Sequence, residues 1–219
     1  MEMSENRMQQ AVLFDFDGTL FFGTPQLNTW CFERALKAMD LPPATPEMIH
    51  ESSGRTFRQI SILMTRTEEQ AVLDLFKAET FKALPNYIDE FIRPDPEVHA
   101  MLQELRKHAK LAICSNAAPE YILPMLDALK LVSFFDEIWY HTPGRTKAKA
   151  VPLLMDTLKV SRAIFVGDRL EDVEAARLAG IPSVGIRNPA YPHETDEADE
   201  TVMNHQQMQE AILLLLNKK

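Results

Sequence analysis

The sequence predicts an α/β protein built on one doubly wound, mostly parallel sheet. Short apolar segments alternate with helical patterns along most of the chain, which is typical of βαβ units. Acidic or hydroxyl side chains stand at the ends of three of these segments. Because parallel strands end at a common edge of the sheet, where ligands of α/β proteins bind, we expect these side chains to meet.

The first strand, Ala11–Phe14, runs directly into Asp15-Phe16-Asp17-Gly18-Thr19-Leu20. Side chains alternate along an extended chain, so Asp15 and Asp17 are expected to point the same way. Gly18 permits a tight turn beside a bound anion. Two carboxylates next to such a turn suit a divalent cation and a phosphate together.

The block that follows, residues 22–92, contains helical patterns and no convincing strand, so it predicts an all-helical insert. A capping box at Thr67 and Gln70 is expected to open its third helix, with Leu75 on the buried face. The predicted division is therefore a core domain of residues 1–21 and 93–219 and a helical cap of residues 22–92.

The alternation of helix and strand resumes after Pro94. The acidic stretch 188–200 predicts a surface loop before a last helix. Ser115 and Asp168 follow the second and fourth strands, so the fold is expected to bring them beside Asp15. The expected elements are helices near 95–108, 118–130 and 147–159, one that ends at Gly180, and strands at 111–114, 138–140, 163–166 and 183–186.

Composition excludes several classes of protein. The 219 residues carry a formal charge of −9 and no long basic run, which disfavours a nucleic-acid partner. The apolar stretch 211–216 is too short to span a bilayer. Two cysteines give no disulfide framework, and the first residues lack the apolar segment of a signal peptide, so we expect a cytoplasmic protein without a membrane partner.

Four segments match, in order, the motifs of the haloacid dehalogenase superfamily. They are Asp15-x-Asp17-Gly18-Thr19, Ser115-Asn116, Lys147 before a helix, and Gly167-Asp168-x-x-x-Asp172. The chain resembles the helical-cap branch that contains phosphoglycolate phosphatase and β-phosphoglucomutase. This resemblance implies a Rossmann-like core with an inserted all-helical cap.

The resemblance also implies roles for these residues. Asp15 is the expected nucleophile, which forms an aspartyl-phosphate, and Asp17 the general acid and base. Mg²⁺ would be held by Asp15, the carbonyl of Asp17, and Asp168, with Asp172 as an outer ligand or a partner of the lysine. The groups expected to bind phosphate are the hydroxyl of Ser115, the ammonium of Lys147 and the backbone N–H groups of Asn116, Gly18 and Thr19.

Three positions leave alternatives open. Arg145, Lys147 and Lys149 all lie near the third motif; the spacing favours Lys147, whereas alignment to a Lys-Pro version of the motif selects Arg145. Arg55, at a turn in the cap, is either a clamp for a second anionic group or an exposed helix-start residue. Arg169 would contact either substrate or solvent.

The sequence therefore predicts a Mg²⁺-dependent phosphatase that hydrolyses a small phosphate monoester of the phosphoglycolate or sugar phosphate type. Its expected partner is a small phosphorylated metabolite, and its expected assembly a monomer or homodimer. A sugar phosphomutase of the same branch is the first alternative. A phospho-acceptor signalling module, which also gathers Asp, Ser or Thr, and Lys at a parallel sheet, is the second.

Overall fold

The protein is described here by a computed structural model covering residues 9–218. The strands of the sheet are β1 (Gln10–Phe14), β2 (Lys110–Cys114), β3 (Glu137–Trp139), β4 (Arg162–Gly167), β5 (Ser183–Ile186) and β6 (Glu200–Val202). Their order is β3-β2-β1-β4-β5-β6, and every neighbouring pair is parallel. The predicted α/β fold with a doubly wound sheet is confirmed.

The helices, in chain order, are as follows: α1 (Thr24–Ala38), α2 (Pro46–Ser52), α3 (Phe57–Thr65), α4 (Gln70–Phe91), α5 (Pro96–Leu105), α6 (Pro119–Ala128), α7 (Lys147–Leu158), α8 (Leu170–Ala179) and α9 (His205–Asn217). Several ends follow local signals. Helix α8 stops at Gly180, whose φ of +68° suits a residue without a Cβ. Across residues 9–218, no helix combines the length and the apolar character needed to cross a membrane.

The chain divides into two compact units. The first contains the sheet and comprises the chain up to Phe21, Asp95–Ser115 and the chain from Leu131 onward. The second contains α1–α4 and comprises Phe22–Pro94 together with Asn116–Lys130. Helix α6 thus groups with the helical unit, whereas the sequence placed residues 118–130 in the core domain.

The core of the first unit forms because β1 is buried on both faces. Leu13 belongs to an apolar cluster with residues of α7 and α8, such as Leu154 and Ala176. Val12 and Phe14, which alternate with Leu13 along the strand, are also fully buried and face the other way. Burial on both faces is typical of a central strand in a parallel sheet.

The stretch 188–200 is a loop up to Asp199, as expected, but the edge strand β6 that begins at Glu200 was not predicted. Two other local predictions were wrong. The capping box lies at Thr56 and Gln59 of α3, whereas α4 begins after Glu69 without a side-chain cap. Leu75 is 49% exposed. The Thr67 hydroxyl accepts a hydrogen bond from the Glu69 N–H instead of reaching into the first turn of α4.

Candidate active site

Three predicted site residues lie where adjacent strands of the sheet end. Asp15 follows β1, and its N–H donates to the carbonyl of Val166 in β4 at 2.8 Å. Ser115 follows β2, and its N–H donates to the carbonyl of Trp139 in β3 at 2.9 Å. Asp168 follows β4. All three residues are buried. Because the strands before them pair in parallel, their backbones lie at one edge of the sheet.

Lys147, the first residue of α7, joins two of the acids. Its Nζ lies 3.1 Å from Oδ1 of Asp15 and 2.5 Å from Oδ1 of Asp172. All three side chains are buried. Burial alone would lower the pKa of the lysine, but the carboxylates of Asp15 and Asp172 outweigh it and hold that pKa above its ordinary value. Lys147 is therefore an ammonium ion at neutral pH.

Asp172 is fixed from both sides. Its Oδ1 takes the contact with Lys147, and its Oδ2 accepts a hydrogen bond from the N–H of Arg169 at 3.1 Å. This second bond satisfies one of the open N–H groups at the start of α8. Burial raises the pKa of the Asp172 carboxyl, and the neighbouring lysine opposes that rise.

Asp168 differs because one of its oxygens has no hydrogen-bond donor among residues 9–218. Its Oδ2 accepts a hydrogen bond from Nδ2 of Asn188 at 2.8 Å. No described residue donates to its Oδ1, although that atom is buried. Burial, together with the carboxylates of Asp15 and Asp172, raises the pKa of Asp168 to about 8. A buried carboxylate oxygen without a donor is an open ligand position.

The acidic cluster fits a hard divalent cation. One carboxylate oxygen each from Asp15, Asp168 and Asp172 can be chosen so that all lie within 4.8 Å of one another. Carboxylate oxygens are the ligands that Mg²⁺ prefers, usually alongside water and substrate oxygens. The three carboxylates carry three negative charges, and Lys147 together with one proton supplies only two positive ones. One negative charge is left for a cation to offset. The donor set, the open oxygen of Asp168 and the charge imbalance agree with the predicted metal site.

Two glycines make room for these carboxylates. Gly18 has φ of +76°, and a Cβ built on it would collide with the carboxylate of Asp168. A Cβ on Gly167 would collide with that of Asp172. Both backbones lie in direct contact with the acids, which only a residue without a side chain allows.

The predicted phosphate contacts of Gly18 and Thr19 have competitors in the turn itself. The N–H of Gly18 donates to the carbonyl of Phe21 at 2.8 Å, and that of Thr19 to the carbonyl of Phe16 at 3.3 Å. Their role towards phosphate stays a prediction. The side chain of Thr19 is fully buried, and its carbonyl accepts a bond from Nε2 of His205 at 2.9 Å.

Among the three basic candidates of the third motif, the geometry selects Lys147. Arg145 stacks over the ring of Trp139, with 4.3 Å from Cζ to the ring centroid, and donates to the carbonyl of Tyr140. Lys149 is exposed. Lys147 is the candidate that contacts the acids.

The remaining predicted residues lie elsewhere or stay untested. Arg55 belongs to the second compact unit and is exposed, and its Nε donates to the carbonyl of Glu51 at 2.6 Å.

Asn116 follows Ser115 in the chain but belongs to the second compact unit, whereas Ser115 belongs to the first. Asp17 is half-buried, and its backbone bridges to Phe21. The phosphate and metal contacts expected of Asn116 and Asp17 stay predictions.

Sequence reasoning missed Asn188 and did not resolve Arg169. Asn188 contacts Asp168 from the stretch expected to be surface loop. Arg169 forms a two-bonded ion pair with Glu194, so its guanidinium is engaged within the protein. The signal for Asn188 was its place just after β5, at the sheet edge that holds Asp15 and Asp168.

Known proteins are similar to this chain over most of its length. The sequence profile of the haloacid dehalogenase-like hydrolase family matches residues 12–186. A phosphoglycolate phosphatase of Pseudomonas putida is 28% identical over 193 residues, which cover 82% of this chain and 70% of that protein. Another phosphoglycolate phosphatase, from Caulobacter vibrioides, is 28% identical over 223 residues, which cover 94% of this chain and 92% of its own.

Solved structures share the fold. A crystal structure described as a predicted phosphoglycolate phosphatase from Haemophilus somnus superposes with a TM-score of 0.79 at 21% identity, covering 94% of this chain and 98% of its own. The β-phosphoglucomutase of Clostridium difficile superposes with a TM-score of 0.77 at 18% identity, covering 95% and 97%. Because the family profile spans most of this chain and all the strand-end acids, the protein belongs to the haloacid dehalogenase-like hydrolase family.

Proposed function

We propose that this protein is a Mg²⁺-dependent phosphatase that hydrolyses a small phosphate monoester through a phosphorylated Asp15. Its class as a phosphatase hydrolase follows from the family and from the curated relatives. The relatives named above are phosphoglycolate phosphatases, so phosphoglycolate is the first substrate to test, and sugar phosphates are the next class. The observation that carries the proposal is the buried contact of Lys147 with Asp15 beside the open oxygen of Asp168.

In the first step, a carboxylate oxygen of Asp15 attacks phosphorus and forms a new P–O bond while the bond to the leaving alcohol breaks. Asp17 gives its proton to that alcohol as it departs. General acid catalysis of this kind contributes roughly 10²–10⁴-fold. The substrate oxygen leaves as a neutral hydroxyl, and the phosphoryl group stays on Asp15.

In the second step, Asp17 takes a proton from water, and the water oxygen attacks phosphorus. The bond between Asp15 and phosphorus breaks, inorganic phosphate leaves, and both aspartates return to their starting forms. Asp17 is half-buried, which supports a role that needs access to both substrate and water. Splitting hydrolysis into two displacements replaces one difficult step with two easier ones.

Lys147 and Ser115 support both steps electrostatically. The ammonium of Lys147 holds Asp15 in one orientation and offsets the charge that builds up on the phosphoryl oxygens. The Ser115 hydroxyl would donate to one of those oxygens from the end of β2. Because these groups are buried in a preorganised site, their effect is larger than the same contacts would have in water.

Asp15, Asp168 and the backbone carbonyl of Asp17 would hold the cation, with Asp172 close by. When bound, Mg²⁺ supplies positive charge that offsets the phosphate and the carboxylates. A small phosphorylated metabolite is the proposed partner, since a formal charge of −9 disfavours nucleic acid. Monomer or homodimer, and a cytoplasmic location, stay predictions.

Release of inorganic phosphate from a substrate panel tests the proposal. The panel holds phosphoglycolate, hexose phosphates, nucleotides and pyridoxal phosphate, each with Mg²⁺ and with a chelator. We expect release from at least one small monoester, abolished by the chelator. Conversion of a hexose phosphate to its isomer without net phosphate release would instead establish the mutase. A long-lived phosphoryl group on Asp15 would establish the signalling module.

A further inference from the structure

The loop between β5 and β6, residues 187–199, is attached to the acidic site. It was expected to be a plain surface loop, yet Asn188 reaches the carboxylate of Asp168 from it. The bond joins Nδ2 of Asn188 to Oδ2 of Asp168 at 2.8 Å. It uses one oxygen of the acid and leaves the other, Oδ1, open among the described residues.

The orientation of the Asn188 amide is fixed by its own loop. Its Oδ1 accepts a hydrogen bond from the N–H of Ala190 at 3.0 Å, and its backbone carbonyl accepts one from the N–H of Tyr191 at 2.9 Å. A side-chain amide presents one acceptor and one donor group on opposite sides. Because the N–H of Ala190 occupies the acceptor, the donor must face Asp168.

A second attachment fastens the loop to the residues after Asp168. Oε2 of Glu194 accepts from Nε of Arg169 at 2.8 Å and from the N–H of Leu170 at 3.0 Å, while Oε1 accepts from Nη2 of Arg169 at 3.0 Å. The guanidinium of Arg169 also stacks on Tyr191, with Cζ 4.0 Å from the ring centroid. A two-bonded arginine–carboxylate pair is directional as well as attractive. We call this attachment, formed by Arg169, Tyr191 and Glu194, the loop latch.

We propose that Asn188 is a positioning residue of the metal site, held in place by the loop latch. By binding Oδ2, it locks the carboxylate of Asp168 in the rotation that presents Oδ1 to the space shared with Asp15 and Asp172. This inference rests on the proposed function, because it assigns Asn188 to the cation that the phosphatase needs. Groups that orient metal ligands typically change metal affinity when they are removed.

The test is calorimetric titration of Mg²⁺ into the substrate-free full chain. Asn188→Leu keeps the volume of the side chain and removes its donor. We expect about a 10–100-fold rise in the dissociation constant for Mg²⁺, the range found for outer-shell partners of metal ligands. At saturating Mg²⁺, phosphate release should recover most of its wild-type rate, because the substitution weakens the hold on the cation and leaves Asp15 and Asp17 unchanged.

Arg187→Ala is the matched control. Arg187 is the neighbouring residue and ties the same loop to Asp196 at 2.8 Å without touching Asp168. The Arg187→Ala variant should bind Mg²⁺ with the affinity of the wild type. Glu194→Gln opens the loop latch and should weaken Mg²⁺ binding in the same direction as Asn188→Leu, which provides a second variant if the leucine substitution impairs folding.

Three different results would overturn the inference. If Asn188→Leu and Glu194→Gln both bind Mg²⁺ like the wild type while Asp168→Asn does not, the metal site stands and Asn188 has no part in it. If Arg187→Ala weakens binding as much as Asn188→Leu, general loosening of the loop explains the effect. If the wild type itself does not bind Mg²⁺, the proposed function fails at its cation and this inference fails with it.

Discussion

The ammonium of Lys147 lies 3.1 Å from Oδ1 of Asp15, which joins the start of α7 to the end of β1. The same nitrogen contacts Asp172, and Asp168 completes the cluster. Three buried carboxylates therefore share the single positive charge of the Lys147 ammonium. Such an arrangement is stable only when a proton or another cation supplies the missing positive charge. A pKa of about 8 at Asp168, raised by burial and by the carboxylates of Asp15 and Asp172, favours a proton on its carboxyl in the metal-free protein at neutral pH.

We expect Lys147→Met to destabilise the metal-free protein at neutral pH by about 3–5 kcal/mol, the usual cost of leaving a buried charge without its partner. Phosphate release should fall below detection, because Asp15 loses its orienting contact and the site its fixed positive charge. Chemical denaturation and a phosphate assay measure the two effects.

Lys149→Met is the control for Lys147→Met. Lys149 lies two residues further along α7 and is exposed. Surface substitutions of this kind usually change stability by less than about 0.5 kcal/mol. Equal losses in the two variants would mean that the helix itself, and not the buried contact, is responsible.

We expect Asp15→Asn to abolish phosphate release while the protein stays folded. An amide of the same shape cannot form the covalent bond to phosphorus, and it removes one negative charge from a crowded cluster. Stability in the absence of metal should therefore be unchanged or higher. Circular dichroism, thermal melting and phosphate release check this. A folded variant that retains more than a few per cent of activity would remove Asp15 from the nucleophile's role.

The position of the acids at the sheet edge was predictable from the sequence because it follows from strand order and the parallel pairing rule. Apolar runs located β1, β2 and β4, and the residues after them then had to converge. The choice of Lys147 over Arg145 was harder. Arg145 lies just before α7 and Lys147 begins it, and the sequence spacing favoured Lys147 without deciding between them. The burial of Lys147 and the stacking of Arg145 on Trp139 separate the two.

Asn188 and β6 were not predictable in this way. The strand β6 has three residues at the sheet edge, and its acidic surroundings resemble a loop in any local pattern. Asn188 contacts Asp168 from a loop that Glu194 and Tyr191 fasten to Arg169. Such contacts depend on tertiary geometry, which periodicity along the chain does not encode.

The pH dependence of the metal-free protein should be the reverse of that in most acidic proteins. The pKa of Asp168 is about 8 in the folded state and lies near 3.8 without the fold. Between these values the folded protein holds a proton that the unfolded chain has released. Its stability, followed by thermal melting with a chelator, should fall as pH rises from about 4 to about 8.

Mg²⁺ binding should show the linked effect. Because the cation displaces the proton of Asp168, its affinity should rise by up to about tenfold per pH unit below pH 8 and level off above it. Titrations between pH 6 and 9 measure this. Asp168→Asn should flatten the stability slope, and a Mg²⁺ affinity independent of pH over this range would contradict the coupling.

The contact of Gly18 with Asp168 and the positive φ of Gly18 can be tested separately. Gly18 and Gly180 both have positive φ, +76° and +68°, but a Cβ at Gly180 would meet nothing within 4 Å, whereas one at Gly18 would strike the carboxylate of Asp168. Gly180→Ala should cost about 1 kcal/mol of stability because its backbone is strained, and it should leave activity and Mg²⁺ affinity unchanged.

Gly18→Ala should carry the same backbone cost and also displace the Asp168 carboxylate, so Mg²⁺ affinity and phosphate release should both fall sharply. Denaturation, calorimetry and the phosphate assay on the two variants make the comparison. Equal behaviour of the pair would mean that the turn adapts, and that close approach of Gly18 to Asp168 is not needed for the site.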